Sequence, residues 1–390
     1  MSRLIAILLA LLLAVQVVRN AGVAAFANRS PDAAARFWPK HPATEISLGL
    51  TEIGRAARDR KPVPTTVFSI IDDAAVKAPL APEPFLVRGV QFAVEDKTAA
   101  AIGLFEQAEL RDPRSLAGRY FLADAYFRAG DARNGLREIL ALSRLAPQGV
   151  DTVAPYVAVY AANRATWPQL RELFRSSPSL EDASLSRLAA NASNADTVLA
   201  LANWGHVVPG TAWLPTLVNS LVAQGQYERA RALWARQWKV EDQPGQTVFN
   251  PGFSNLKAAT PFNWELVSSS LGLAEGQRGG RLHVIFLGKE NGMLARQLLV
   301  LQPGRYILSM RVAGDPARVH SLHWSVRCDT SDKPAAAAGL DSIGQRPLTF
   351  TVPPGCPAQW LELSGAPGDT AQQVDAIIDD LQLKRAPSNG

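Results

Sequence analysis

Cysteine and histidine are scarce in this 390-residue sequence, which contains two cysteines and five histidines. Two cysteines are too few for a four-cysteine zinc site or for a disulfide-dense scaffold. His320 and His323 lie on opposite faces of a predicted strand, so we expect no metal site. The sequence also lacks a phosphate-binding loop, a dinucleotide fingerprint and a nucleophile elbow. These absences favour a binding protein without a cofactor or a catalytic residue over an enzyme.

A concentration of charge of one sign is also missing. The chain has 40 basic and 35 acidic residues, and from residue 29 onward both signs occur in every part of the sequence. A nucleic-acid partner is therefore not expected, because such proteins collect positive charge on one surface. The composition, 47% hydrophobic and 19% charged, is typical of globular proteins, and the length suffices for two domains.

The longest apolar run stands at the N-terminus. After Arg3, residues 4–18 carry no charge, and residues 25–27 offer a small-x-small cleavage site. Residues 1–28 could therefore form a cleaved signal peptide. Residues 4–27 are also long enough to stay in the bilayer as an uncleaved anchor. A buried N-terminal helix is the third alternative. The first two alternatives place residues 29–390 outside the cytoplasm. We expect a protein of the bacterial inner membrane that faces the periplasm, or a periplasmic protein if the segment is cleaved.

A 34-residue period follows. Pro79, Pro113 and Pro147 mark it, and apolar residues recur between them at helical spacing. Matching positions in two units are Phe85, Gly89, Phe92, Ala101, Phe105 and Ala108, and then Leu122, Ala123, Tyr126, Gly135, Ile139 and Leu142. These spacings resemble the tetratricopeptide repeat (TPR).

The repeat predicts a TPR-like α-solenoid over residues 29–243, with about ten helices between residues 32 and 240. Gly89 and Ala101 should be buried between the two helices of one hairpin. The resemblance implies a groove that holds a protein partner, and the alternative is a spacer that only positions the next domain.

Alternating short runs replace the helical period near residue 244, and they predict an antiparallel β-sandwich over 244–386 with a tail at 387–390. The fold class is therefore multidomain, α followed by β. No helical segment is expected between the strands. The predicted strands are 261–268, 281–287, 296–301, 305–313, 321–328, 346–352, 359–364 and 376–384.

Short motifs in this half resemble the strands of carbohydrate-binding jelly rolls. They are residues 250–253 with 261–264, residues 303–306, and residues 378–383. The resemblance implies a jelly-roll sandwich and adds a polysaccharide to the expected partners.

Alternation predicts which side chains of the sandwich face solvent. Trp324 lies on an apolar face and should belong to the core, whereas Trp360 shares a face with Glu362. An exposed ring beside a carboxylate could stack on a sugar, with His323 and Arg327 also outward. The alternative is that a loop or the solenoid covers Trp360.

Two further pairs of residues are of interest. A glycosidase would need two carboxylates across a cleft, and Glu362 with Asp379 or Asp380 is the pair that the sequence offers.

Cys328 and Cys356 predict a disulfide, because an even, local pair in an exported protein is typical of one; two buried thiols are the alternative.

Together these patterns predict a membrane-tethered scaffold or adaptor in cell-envelope polysaccharide assembly or export. One alternative is an accessory protein that targets a separate glycan-active enzyme to its substrate. The other is a glycan-active enzyme in its own right.

Overall fold

A computed structural model describes residues 2–145, 148–240, 247–255, 257–368 and 372–387. Within it the chain forms two compact units. The first comprises Met1–Leu185 and Ala200–Val207, and the second comprises Ser186–Leu199 and Val208–Gly390. Pro147, the expected domain boundary near residue 244 and most of the expected tail lie outside the described residues, so the domain bounds stay predictions.

Helices make up the N-terminal part of the described chain. They are α1 (Ser2–Phe26), α2 (Pro31–Phe37), α3 (Pro42–Asp59), α4 (Thr65–Lys77), α5 (Glu83–Val94), α6 (Thr98–Arg111), α7 (Leu116–Arg128), α8 (Ala132–Leu145), α9 (Gly149–Tyr160), α10 (Trp167–Ser176), α11 (Pro178–Ala189), α12 (Ala195–Leu201), α13 (Trp213–Ala223) and α14 (Tyr227–Trp238). The described residues between 31 and 238 thus contain 13 α-helices rather than about ten. The excess arises partly because short helices and 3-10 turns (Arg164–Thr166, Ala192–Asn194, Trp204–His206) divide residues 151–210.

The predicted repeat register is confirmed at the hairpin of α5 and α6. Gly89 and Ala101 are buried, and a Cβ atom added at Gly89 would lie 2.4 Å from the Phe105 ring. Glycine is required here because α5 and α6 approach too closely for a side chain. Successive hairpins of this kind form the helical solenoid-like region.

The end of α1 is part of this folded region. Val23 and Ala27 are buried against Ala34 of α2, and the Phe26 and Phe37 rings stack with centroids 5.8 Å apart. Over Ile5–Phe26, α1 is long and apolar enough to cross a membrane, a property that signal sequences share.

Eleven strands form two antiparallel sheets in the described part of the second unit. They are β1 (Glu265–Leu266), β2 (Ser268–Ser269), β3 (Gly272–Gln277), β4 (Arg281–Phe286), β5 (Gly292–Leu299), β6 (Gly304–Gly314), β7 (Leu322–Cys328), β8 (Pro334–Gly339), β9 (Leu348–Val352), β10 (Gln359–Gly365) and β11 (Val374–Arg385). The first sheet has the order β1-β5-β10-β7-β8, and the second has the order β2-β3-β4-β11-β6-β9.

Two expectations about this half were wrong. The sequence pattern missed β3 and β8, and helices α15 (Pro316–Val319) and α16 (Leu340–Gln345) lie between strands. The alanines of β8 are exposed or half-buried. Pairing with β7 holds β8 at the sheet edge, because a ladder satisfies the backbone of an edge strand whose side chains bury little.

The core lies between the inward faces of both sheets. Trp324 and Leu361 of the first sheet are fully buried with Val284 and Ile378 of the second, so the expectation for Trp324 is confirmed. The predicted disulfide is also present: it joins Cys328 to Cys356 with Cα atoms 5.5 Å apart.

Helix α14, which precedes the sheets in the chain, belongs to the second unit together with them. Trp234 of α14 donates from Nε1 to the Ala259 carbonyl at 2.7 Å, and its ring lies 4.8 Å from Phe249 and 5.8 Å from Phe262. Burial of this aromatic cluster joins α14 to the segments that lead into the first sheet.

Candidate functional site

An apolar groove opens on one side of the first unit. It has a volume of about 500 Å³. It lies between the first helices of successive hairpins, α3, α5 and α7, together with α4 and the loop before it. Its lining residues are Leu50, Ile53, Pro62, Val63, Phe68, Leu86, Val87, Val90, Gln91, Val94, Glu95 and Phe121.

The sequence of α5 explains why the groove is apolar. One side of this helix packs against α6 at Gly89. A second side carries Leu86, Val90 and Val94, which line the groove. The spacing of four residues between these three places them on one side of the helix. Val94 is 79% exposed and Leu50 is 40% exposed, so the groove presents apolar surface to solvent.

Polar groups stand at one edge of the groove. Gln91 accepts a hydrogen bond from Arg88 at 2.5 Å and donates one to Glu95 at 2.9 Å. Arg88 is also paired with Asp72, and this hydrogen bond raises the pKa of its guanidinium. Hydrogen bonds from Lys97 and then Gln91 lower the pKa of Glu95. The edge is therefore a charged, hydrogen-bonded rim beside an apolar floor.

The apolar surface continues along the hairpins. The Phe121 ring in the groove lies 5.7 Å from the neighbouring Tyr120 ring, which in turn lies 5.9 Å from Tyr156 of α9. Tyr120 and Tyr156 line a second cavity of about 170 Å³, and their hydrogen bond raises the pKa of Tyr120. Apolar and aromatic side chains thus run from α3 to α9.

The structure brings three of the four ligand residues expected from sequence close together. Trp360 and Glu362 of β10 lie on the side of the first sheet that faces away from the core, and Arg327 of β7 is the partner of Trp360 across the strands. His323 lies farther along β7, opposite Ser364. All four expected residues are half-buried.

Trp360 is engaged within the second unit. Its Nε1 donates to Asp329 at 2.6 Å, and Asp329 also accepts a hydrogen bond from Tyr227 of α14 at 2.5 Å. Burial, followed by this hydrogen bond, raises the pKa of Tyr227 to about 12. The Arg296 guanidinium lies 4.6 Å from the centre of the Trp360 ring. These contacts fix the Trp360 ring within the second unit, and both glycan binding there and the alternative of a covered ring stay predictions.

The carboxylate pair offered for glycoside hydrolysis does not share a cleft. Glu362 lies on the outward side of the first sheet, whereas Asp379 and Asp380 belong to β11 of the second sheet, in which Asp379 accepts a hydrogen bond from Arg311 at 3.1 Å. The core separates the two outward faces, which corrects the pairing. Among the described residues, no cluster of His, Cys, Asp and Glu side chains could hold a metal ion.

The sequence resemblance implied a groove without naming its residues, and the apolar groove is the candidate for it. A signal for it was present, since α5 carries hydrophobic residues on more than the one side that packing against α6 requires. The sequence alone could not show which of these residues remain exposed, because that depends on how neighbouring hairpins stack.

Comparisons with known proteins show a similarity of fold and nothing about function. No protein-family model matches the chain, and no curated protein matches it. Among solved structures, a tetratricopeptide repeat protein from Parabacteroides merdae is 13% identical, with 55% of this chain and 86% of that chain covered and a TM-score of 0.27. Yeast Tom70 is 15% identical, with 55% and 46% covered and a TM-score of 0.29.

A third similar structure contains accessory secretory proteins 1, 2 and 3 of Streptococcus pneumoniae. It is 9% identical, with 38% of this chain and 99% of that chain covered and a TM-score of 0.24. The chain is thus similar to helical proteins, a tetratricopeptide repeat protein among them, over its N-terminal part. At these identities and TM-scores the likeness carries no argument about function.

Proposed function

We propose that this protein is a membrane-tethered scaffold or adaptor without catalytic activity, and that it faces the periplasm and binds a protein partner in the groove of α3, α5 and α7. The observation that carries the proposal is the exposed apolar lining of this groove. Clefts of this volume that are lined mainly by hydrophobic side chains are typical of binding sites. Because the lining continues through Tyr120 to Tyr156, the surface is long enough for an extended contact.

The proposed occupant is a segment of a partner protein with large apolar side chains on one side of a helix. A groove of about 500 Å³ falls within the range of ligand-binding clefts and can accept several such side chains. Amphipathic helices bind grooves of this kind through residues spaced by three and four positions. The charged rim at Arg88, Gln91 and Glu95 would meet the polar side of the segment.

Two observations support the membrane tether and the compartment. The last turns of α1 are packed into the first unit through Val23 and Phe26, so cleavage after residue 27 would remove part of that packing. The Cys328–Cys356 disulfide is typical of an oxidising compartment. Basic residues after α1 oppose this orientation by the positive-inside rule, but long domains are exported largely regardless of charge.

A polysaccharide partner, and with it a role in polysaccharide assembly or export, is not part of this proposal. Trp360, the expected sugar-binding ring, already contacts the Arg296 guanidinium and donates a hydrogen bond to Asp329.

The groove is tested with a photo-crosslinking residue placed at Val94 in the source bacterium, with Val76 as the matched control. Val76 of α4 is 83% exposed but does not line the groove. A partner that crosslinks at Val94 and not at Val76 is identified, purified and titrated against the purified chain.

Leu50→Asp/Val94→Asp should then weaken binding at least about tenfold, because carboxylates replace two apolar contacts. Val76→Asp/Leu80→Asp, at positions 83% and 82% exposed, should leave the affinity unchanged. Unchanged affinity in the groove variant would place the binding site elsewhere.

A further inference from the structure

The corner between α1 and α2 combines aromatic and basic side chains. α2 runs back along the end of α1, since Phe37 lies against Gly22, and Trp38 lies under the Arg19 guanidinium at 4.3 Å. Arg19 also donates from Nε to the Phe37 carbonyl at 3.3 Å. The segment from Arg36 to Lys40 therefore stands beside the turn of α1 that begins at Arg19.

The length of α1 places this corner at the edge of a bilayer. A helix of 25 residues is about 37 Å long, whereas the hydrocarbon core of a bilayer is about 30 Å thick. When α1 spans the core, its last turns emerge into the headgroup layer. α2 begins beside these turns, and the segment from Arg36 to Lys40, level with Arg19, lies at the inner edge of that layer, from which long basic side chains extend to the headgroups. Trp38 is of the residue type enriched at membrane interfaces, and the partly exposed Phe26 and Phe37 add apolar surface beside it.

Free positive charge is concentrated at the same corner. Arg29, Arg36 and Lys40 are exposed, and within the described part of the chain none of them has an ion-pair partner. Asp32 is the only carboxylate between residues 20 and 44, so this stretch carries a net charge of about +2. Basic residues this close to a membrane span are depleted on the exported side, and their presence here therefore needs a physical reason.

We infer that Arg29, Arg36 and Lys40 bind the phosphate groups of anionic phospholipids at the membrane surface. Guanidinium groups match phosphate oxygens in bidentate geometry, and a lysine ammonium adds a point charge. Each basic residue near an anionic surface contributes attraction that falls off within the Debye length of the solution. The contact would hold α2 against the surface and so orient the first hairpin relative to the membrane. This inference rests on the proposed membrane tether.

The test measures lipid selectivity in the full-length protein reconstituted in phosphatidylcholine bilayers. Spin-labelled phosphatidylglycerol and spin-labelled phosphatidylcholine are compared by the fraction immobilised at the protein. The wild-type chain should favour phosphatidylglycerol at least about twofold, and the preference should decrease as salt is added, because salt screens the attraction. Inorganic phosphate at the same ionic strength should have no additional effect if the ligand is a lipid headgroup.

The variant Arg29→Gln/Arg36→Gln/Lys40→Gln should lose this preference. Its matched control is Arg58→Gln/Arg60→Gln/Lys61→Gln, which removes the same charge from exposed residues around the end of α3 and should keep the preference. Equal association of both lipids with the wild-type chain, or an unchanged preference in the first variant, would overturn the inference.

Extraction of membranes at alkaline pH separates this result from a failure of the tether. If the wild-type chain is released, α1 does not anchor the protein, and both the proposed tether and the inference fail. If all three proteins stay in the membrane and only lipid selectivity is absent, the tether stands and the inference alone fails.

Discussion

The close approach of α5 and α6 gives a quantitative prediction from two glycines of one hairpin. Gly89 of α5 faces its partner helix, and a Cβ atom there would lie 2.4 Å and 2.6 Å from two carbons of the Phe105 ring. Gly103 of α6 has no atom within 4 Å of the same added carbon. Substituting each glycine by alanine adds one methyl group to a helix, so the two variants differ only in what the methyl group meets.

The expected magnitudes follow from two opposing effects. Alanine in place of glycine favours a helix by about 0.8–1.0 kcal/mol at either position. At Gly89 the Phe105 ring must also move by about 1 Å to reach an ordinary contact distance. That ring is only 1% exposed and stacks against Phe121 with centroids 5.8 Å apart, so its movement disturbs further packing. Overpacking of this kind costs about 1–3 kcal/mol.

Gly103→Ala should therefore raise the free energy of unfolding by about 1 kcal/mol, and Gly89→Ala should lie about 1–3 kcal/mol below it. Gly89→Leu should be less stable than Gly89→Ala because its longer side chain enters the same contact. Urea denaturation followed by circular dichroism at 222 nm measures the helical transition of each full-length variant. The reasoning is wrong if Gly89→Ala is as stable as Gly103→Ala.

Two further predictions concern the second unit. Reduction of the disulfide, which spans 28 residues, should destabilise the sandwich by about 3–4 kcal/mol in the loop-entropy model and leave the helical transition in place. Titration of the unreduced, denatured protein should find no free thiol. Two free thiols would contradict the bond. The His283 ring makes hydrogen bonds with Glu275 at 3.3 Å and with Asp375 at 3.0 Å. Burial lowers the pKa of His283, but these hydrogen bonds outweigh burial and raise the pKa. A raised folded-state pKa stabilises the folded state most below the unfolded pKa of about 6.5, and this contribution is lost as the pH rises through the folded pKa. The denaturation midpoint of the wild type, measured relative to that of His283→Gln, should thus fall as the pH rises from the unfolded to the folded pKa of His283. Parallel pH profiles of the two proteins would disprove the contribution.

The helical half shows how far periodicity alone can lead. The 34-residue spacing was sufficient to pair Gly89 with the second helix of its hairpin, because contacts within a hairpin involve residues near each other in sequence. The same approach underestimated the number of helices, because residues 151–210 contain short helices and turns without a fixed repeat.

In the sandwich, alternation identified the strands whose side chains contrast strongly between faces, and it assigned Trp324 to the core. It missed β3, which contains two glycines and little contrast, and it missed β8, which is mostly alanine. Both strands exist because neighbouring strands satisfy their backbone groups, and side-chain patterns do not record that pairing.

The sequence by itself therefore determined the order of helical and sheet regions, the hairpin register, the apolar N-terminal helix and the pairing of two cysteines. These features depend on local periodicity, on composition or, for the disulfide, on there being two cysteines in the chain. Tertiary structure alone decided the environment of Trp360, the separation of Glu362 from Asp379, and which apolar side chains of α5 stay open to solvent. Each of these depends on contacts between segments that are remote in sequence, as Tyr227 and Asp329 are, and only the folded chain brings such segments together.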